Sequence, residues 1–319
     1  MNIQKEGLGG VGREIIVLDN DKVWFTGDVH GRLESLVWEI KERKRLRNCT
    51  VVVVGDIGLG FESKRHYYPL FEKLNNKLRE LGVTILLLRG NHDDGDFFNT
   101  LYYLDEYEKT PRGYVTFSNI MTIPDYTIIK TPSHNMLCVG GAVSIDRCKR
   151  QKGISYWENE KVMEWEEGFF DKLKEQGNLI DVVVTHTSPH ICYPIDKSYD
   201  DQGLFIEQYS VYDEYLKHDN WSERQMLFNI MNILLKEGHP LSYWIYGHFH
   251  QNFKMIEDVD GHEIKFVALD MYRQGKVRDK INDVFRIGCE WFRIGDKSYD
   301  KEYMRSYNAC RNDQNSTHQ

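Results

Sequence analysis

Apolar and polar positions alternate along this chain in short blocks. Five β-branched or aliphatic runs, at 23–26, 50–54, 83–88, 181–185 and 242–246, each end in polar or glycine punctuation. Runs of that length with such ends predict buried strands. Between the first two, Leu33, Leu36, Val37 and Ile40 fall at i, i+3, i+4 and i+7, the apolar stripe of a helix packed on a sheet. The opening rhythm is therefore strand, helix, strand. After Gly113 the pattern turns to strands without intervening helices, with 127–129 and 136–139 flanking a turn-like 131–135, and a second sheet is expected to begin there. Later, 253–256 and 263–268 flank Asp260-Gly261, a pair suited to a tight hairpin turn. No internal repeat is present, and the polar tail 308–319 is predicted to be disordered.

Three features resemble known sites but fail on context. Gly7-Leu8-Gly9-Gly10-Val11-Gly12 has the spacing of a dinucleotide-binding glycine loop, which must leave a strand and open a helix. Only six residues precede it and the strand-like 14–18 follows, so it reads as a turn. The run 41–47 carries five basic residues and one acid, and lies where the 33–40 helix ends. Cations there complement the helix macrodipole, and a solvated face is expected. Asp93, Asp94 and Asp96 cluster without the spacing of a calcium-binding loop.

The 319 residues, 41% of them hydrophobic, can bury a substantial core. With 41 basic and 49 acidic residues the net charge is -8, which opposes general binding to nucleic acid. The apolar runs are too short to span a bilayer and no secretory leader is recognisable, so a cytoplasmic location with no membrane partner is expected. Cys49, Cys138, Cys148, Cys192, Cys289 and Cys310 are scattered without C-x-x-C pairing, as expected of reduced structural thiols.

Chemistry gathers at the ends of the predicted strands: Gly27-Asp28-Val29-His30, then Gly55-Asp56, Gly90-Asn91-His92-Asp93, Thr185-His186 and Gly247-His248-Phe249-His250. In an α/β sheet the carboxyl ends of the strands open on a common crevice, so these distant residues can converge. In four of the five segments a glycine directly precedes the metal-competent residue, where the chain can bend and nothing crowds a ligand. A lone histidine at a strand end is ordinarily a hydrogen-bonded surface residue; five coincidences of one pattern are not. Carboxylate, amide and imidazole donors without thiolate suit manganese, iron or zinc in a hydrolytic site.

The ordered set D-x-H, G-D, G-N-H-D, H and G-H-x-H, spanning 27–250, resembles the calcineurin-like metallophosphoesterase superfamily. The resemblance implies a four-layer α-β-β-α sandwich with two mixed β-sheets, in a single domain taken as 1–307. It implies two divalent metal ions, manganese favoured and iron or zinc as alternatives. Asp28, His30 and His250 would hold one ion, Asn91, His186 and His248 the other, and Asp56 would bridge them. Hydrolysis of a phosphate ester by a metal-bridging hydroxide follows. His92, one residue past Asn91, is assigned as general acid, with Asp93 orienting its imidazole.

The match is incomplete. Relatives close to the protein serine/threonine phosphatases carry a phosphate-gripping arginine after the second motif, where this chain reads Gly55-Asp56-Ile57-Gly58-Leu59-Gly60. Arg32, Arg89, Arg147 and Arg150 are candidates to replace it. The stretch 140–147, followed by Arg150 and Tyr156-Trp157, resembles a segment of bacterial and phage members, so Arg147, Arg150 and Arg32 are expected to bind substrate and the aromatic pair to stack on a base or sugar. The tyrosine-rich 188–226 reads as an insertion, either a lid or an oligomer contact. A phosphomonoesterase acting on a nucleotide or phosphoprotein is favoured; the alternatives are a phosphodiesterase or nuclease, and a non-catalytic scaffold of the same fold.

Overall fold

The computed structural model describes residues 3–7, 14–98, 108–110, 113–115, 118–192, 201–278, 283–288 and 291–295. In chain order the strands are β1 (Ile3–Gly7), β2 (Glu14–Leu18), β3 (Val23–Thr26), β4 (Cys49–Val53), β5 (Val83–Leu88), β6 (Glu108–Thr110), β7 (Gly113–Val115), β8 (Ile120–Ile123) and β9 (Thr127–Lys130). There follow β10 (Asn135–Val139), β11 (Val182–Thr185), β12 (Tyr243–Tyr246), β13 (Phe253–Val259), β14 (His262–Ala268), β15 (Arg273–Arg278), β16 (Asp283–Gly288) and β17 (Trp291–Phe292). The helices are α1 (Leu33–Trp38), α2 (Lys64–Leu81), α3 (Phe169–Glu175), α4 (Asp201–Ser210) and α5 (Leu216–Lys236).

Two mixed sheets carry the fold, one in the order β17-β3-β4-β5-β8 and the other β1-β2-β9-β10-β11-β12-β14-β13. The two-residue period of a strand decides how they stack. On β4 and β5, Val51, Val53, Ile85 and Leu87 pack with Leu36, Ile40, Phe71 and Leu78 of the helical side. The alternate residues Val52, Val54, Leu86 and Leu88 pack with Met136, Cys138, Val182, Val184 and Ile245 of the other sheet. That sheet turns Leu137, Val183, Trp244 and Tyr246 outward to Phe170 and Leu173 of α3 and Leu227, Ile230 and Leu234 of α5. The four layers are therefore helix, sheet, sheet, helix. Fully burying each such side chain contributes roughly 1.5–3 kcal/mol, so the three apolar layers hold the strand ends in place.

The expected strands and the 33–40 helix are present, and α1 continues into a wider turn over Glu39–Arg43. The basic run is a solvated face, with Lys41, Arg43, Lys44, Arg45 and Arg47 all exposed. Asp260 (φ 51°) and Gly261 (φ 82°) turn the β13–β14 hairpin in the left-handed conformation such turns need.

One expectation changes. The second sheet does not begin after Gly113: β2 pairs with β9 through Ile15 and Ile128, and β8 returns to the first sheet beside β5. Strand partners are chosen by non-local hydrogen bonding that the apolar pattern does not report. The last residues of the range 188–226 belong to α5. Asn220, Glu223 and Arg224 occupy the buried face of that helix and hide its apolar stripe. Residues 8–12 of the glycine-rich turn and the 308–319 tail lie outside the described residues. Among the described residues, no helix is long and apolar enough to cross a membrane.

Candidate metal centre

Parallel pairing carries the candidate ligands to one edge of the sandwich. Asp28, Asp56 and Asn91 follow the carboxyl ends of β3, β4 and β5, which run parallel. His186, His248 and His250 follow β11 and β12, also parallel to one another. Each sheet thus delivers part of the cluster, across the crevice that strand ends open.

Asp28, His30, Asp56 and His250 each offer one donor atom, all within 4.8 Å of one another. His250 Nε2 lies 3.2 Å from Asp28 Oδ2, and His30 Nε2 lies 3.9 Å from that oxygen and 3.8 Å from Asp56 Oδ2. The second group surrounds Asn91 Oδ1, with His186 Nε2 and His248 Nδ1 each 3.0 Å from it. His186 Nε2 is also 3.1 Å from Asp56 Oδ1. Asp56 therefore presents one oxygen to each group.

The backbone around these residues is unusual. His30, Asp56, His248 and His250 have φ of 47°, 48°, 65° and 53°. Left-handed backbone is uncommon outside glycine and is held only where the surroundings demand it, as at functional sites. The glycines serve close approach: a Cβ on Gly55 would collide with the His186 imidazole, and one on Gly247 with Asp28 Oδ1. Adjacent motifs could not otherwise touch.

The centre requires positive charge. Asp28 and Asp56 are fully buried, and Asp28 Oδ2 accepts no hydrogen bond among the described residues. Nδ1 of His186 lies 2.8 Å from the Val54 carbonyl and must donate to it, so Nε2 points at two oxygens with only a lone pair unless a proton or cation intervenes. Burial opposes charge on His186, but Asp56 and Asp28 outweigh it and push the imidazole up to about 9. A proton there does in part what a cation would do for both groups. In the first group His30 Nε2 and His250 Nε2 face each other at 3.1 Å, the convergence expected of two imidazoles sharing one ion. Burial likewise works against ionised Asp56, yet His186 and His92 hold its carboxyl well below the usual range. The oxygen and nitrogen donor set, without thiolate, fits a divalent ion of the manganese, iron or zinc type.

The remaining predicted residues divide. His92 stands at the centre, its backbone N–H donating to Asp56 Oδ1 at 2.8 Å and its ring edge-on to His30 at 5.0 Å. Burial lowers its pKa, and the nearby Arg150 and His30 lower it further against the pull of Asp56. Arg150 Nη2 lies 2.9 Å from His92 Nε2, and the guanidinium also pairs with Asp146 at 2.6 Å. Since a guanidinium only donates, the His92 Nε2 facing it holds its lone pair.

Asp93 does not orient the His92 imidazole as expected. Its two oxygens accept backbone N–H bonds from Ile57, Gly58, Leu59 and Gly90 at 2.8–3.2 Å, fastening the loop after β4 to the loop after β5. Arg147 is likewise taken up elsewhere, gripped by Asp213 and, at 2.7 Å, by Asp219. Arg32 lies over the Tyr272 ring at 5.7 Å. Buried Arg89 ties the carbonyls of Asn159, Glu160 and Lys161 to Asp125. Of the candidate arginines, Arg150 is the one in contact with a residue of the centre. Trp157 is buried and meets Phe61 edge-on at 5.0 Å, whereas Tyr156 lies in a shallow hollow beside Arg147.

Sequence reasoning missed Ser144 and Glu160. Asn91 Nδ2 donates to Ser144 Oγ at 2.9 Å, and Ser144 donates from its hydroxyl and backbone N–H to the two Glu160 oxygens, each at 2.7 Å. This chain turns Asn91 Oδ1 toward His186 and His248. The run Gly140 to Ser144 carried a hint in its likeness to relatives, but Glu160 had no local signal.

Two facing sheets with a carboxylate and imidazole cluster across their strand ends define a metal-dependent hydrolase of the α/β sandwich class. The family described as calcineurin-like phosphoesterase matches residues 21–252, and the chain belongs to that family. It is thus a hydrolase acting on phosphate esters with divalent metal ions as cofactors. Comparison with curated proteins finds no matching relative. Among solved structures, the chain is similar to the cold-active protein-tyrosine phosphatase of a psychrophile, Shewanella sp., at 13% identity over 80% of this chain and 72% of that one, with a TM-score of 0.29. A point mutant of a cold-active protein tyrosine phosphatase gives 13% identity over 80% and 72% with a TM-score of 0.28, and a further structure of such a phosphatase 15% over 80% and 70% with a TM-score of 0.27.

Proposed function

We propose that the chain is a phosphomonoesterase with a two-metal centre, in which Asp28, His30 and His250 hold one ion, Asn91, His186 and His248 the other, and Asp56 both. The observation that carries this reading is the position of Asp56, with Oδ1 3.1 Å from His186 Nε2 and Oδ2 3.8 Å from His30 Nε2. Two divalent ions in such a site supply an activated water and neutralise charge on the phosphoryl oxygens. Manganese is favoured by the donor set.

The chain's own residues then divide the remaining work. Arg150, which stands at His92, would take a phosphoryl oxygen through its planar fork. Once Arg150 turns to the phosphate, His92 loses a neighbour that lowers its pKa and can carry a proton for the leaving oxygen. Asp93 holds the two loops bearing Asp56 and His92 in register.

The seven ligand positions are all occupied by competent residues, which favours an enzyme over a scaffold of the same fold. A net charge of -8 supports a small phosphate ester, such as a nucleotide or a phosphorylated side chain, over a nucleic acid. Free Cys49, Cys138, Cys148 and Cys192 fit a cytoplasmic location.

Metal analysis of the purified protein, together with a panel of phosphate esters, tests the reading. Two equivalents of metal are expected, with faster hydrolysis of an aryl phosphate than of a bis-aryl phosphate. Less than one equivalent, with no activity recovered by added manganese, would overturn it. The reverse preference would make the enzyme a diesterase.

A further inference from the structure

Beside the metal centre lies a cavity of about 410 Å³ whose composition differs from that of the centre. His30 and His92 line one part of it, and Leu33, Phe61, Tyr67 and Leu70 line much of the remainder. We propose that this cavity binds the uncharged aromatic part of the phosphate ester whose phosphoryl group lies at the metal centre. The inference rests on the hydrolase reading above and adds the class of substrate.

Three observations carry it. The first is continuity, because the histidine assigned to the leaving oxygen and a candidate ligand both belong to the cavity wall, so a group attached to that oxygen extends into this space. The second is charge. Among the described residues that line the cavity none is a lysine or arginine, and the carboxylate there is Glu62. A second phosphate or an acidic peptide would meet no lysine or arginine there, only the imidazoles of His30, His66 and His92 and one repelling carboxylate. The Tyr67 hydroxyl is already engaged, donating to the Gly58 carbonyl at 2.8 Å and accepting from the Glu62 N–H at 3.2 Å.

The third is the setting of Phe61. Its side chain is 43% exposed, yet its ring is oriented, lying 20° from parallel to His92 at 6.3 Å and edge-on to Trp157 at 5.0 Å. An aromatic held at the mouth of an apolar space is suited to cover a planar ligand group. The wall is also formed in advance, since the two Tyr67 bonds fix the 58–62 loop on α2. A volume of about 410 Å³ falls within the ~300–1,000 Å³ of small-molecule sites, enough for a fused ring or a nucleoside.

The test uses full-length protein with manganese and three monoesters: 1-naphthyl phosphate, adenosine 5′-monophosphate and glycerol 3-phosphate. It adds calorimetric binding of 1-naphthylphosphonate, which cannot be hydrolysed. The KM for naphthyl phosphate should be at least roughly tenfold below that for glycerol phosphate, and Phe61→Ala and the cavity-filling Leu70→Trp should each shrink that ratio about tenfold. Phosphonate affinity should fall in parallel in both variants. Adenosine monophosphate grouping with the naphthyl ester identifies a nucleoside as the ring source, and grouping with the glycerol ester identifies a phenol. Hydrolysis of all three with equal KM in wild type and variants would overturn the cavity assignment and leave the hydrolase reading standing. No hydrolysis, with phosphonate binding that depends on Phe61, would overturn the phosphomonoesterase reading and uphold the cavity; neither hydrolysis nor binding would overturn both.

Discussion

The side-chain amide of Asn91 donates to the hydroxyl of Ser144 at 2.9 Å, and this one bond decides which end of the amide faces His186 and His248. An asparagine offers an oxygen or a nitrogen with nearly the same shape, and only the oxygen can ligate a cation. Ser144→Ala removes the partner that selects between them. The apparent affinity for manganese should fall about 10–100-fold, the usual effect of losing a group that orients a ligand. An unchanged affinity in a metal titration would show that His186 and His248 orient the amide by themselves.

Asp56 is the residue shared between the two groups, and its ionised form is favoured by His186 and His92 despite full burial. Asp56→Asn keeps the shape, and an amide oxygen still accepts the His92 N–H. It removes the negative charge that two cations would share. Turnover should drop by several orders of magnitude with an unchanged circular dichroism spectrum. Full turnover with two bound metal equivalents would rule out the shared position.

The role proposed for His92 separates proton transfer from metal holding. His92→Ala should retain both metal equivalents and lose roughly 10²- to 10⁴-fold in rate on alkyl esters, the range for a positioned general acid. The loss should be much smaller for nitrophenyl phosphate, whose leaving group is stable without a proton. An equal loss on both ester types would assign His92 to charge stabilisation, and a loss of metal would make it a ligand.

Glu223, buried within the inward face of α5, accepts the backbone N–H groups of Val143 at 3.0 Å and Val162 at 3.2 Å. Burial pushes its carboxyl up from 4.5 to about 7, more than those bonds draw it down. Between these two values the folded chain keeps a proton that the unfolded chain has released. Its contribution is therefore fully present below about pH 4.5 and declines as pH rises toward 7, with a slope of at most ~1.4 kcal/mol per pH unit. Urea unfolding of the metal-free protein at pH 5 and pH 7 should show a steeper decline in wild type than in Glu223→Gln, where Glu160 and Asp93, whose carboxyls burial also raises, still contribute. Equal pH slopes in the two proteins would mean that Glu223 is ionised throughout.

The seven candidate ligand positions could be named before any fold was known because each motif is local. A β-branched run ends, a glycine follows in four of the five cases, and a metal-competent side chain stands next to it. The meaning of the glycines was only half legible. Flexibility was expected, but at Gly55 and Gly247 the deciding fact is the closeness of His186 and Asp28, residues 131 and 219 positions away (186 − 55 and 247 − 28).

Asp93 and Arg147 show where local reading stops. Beside His92 an aspartate looks like its orienting partner, yet four N–H groups from two loops converge on Asp93 and take both oxygens. Arg147 beside Arg150 looks like a second phosphate fork, until Asp213 and Asp219 arrive from the region around the start of α5. A charged side chain bonds to whichever complementary groups packing brings within reach, and apart from Gly90 beside Asp93 those groups lie more than 30 residues away in the chain.

By itself the sequence determined the strands, the first helix and the candidate residues of the centre, since strand periodicity and motif grammar operate over a few residues. Only the tertiary structure decided which sheet each strand joins, which arginine stands at His92, how Asn91 is turned and that an apolar cavity adjoins the centre. Those outcomes depend on hydrogen bonds and contacts between segments far apart in the chain, which exist only after the two sheets have closed face to face.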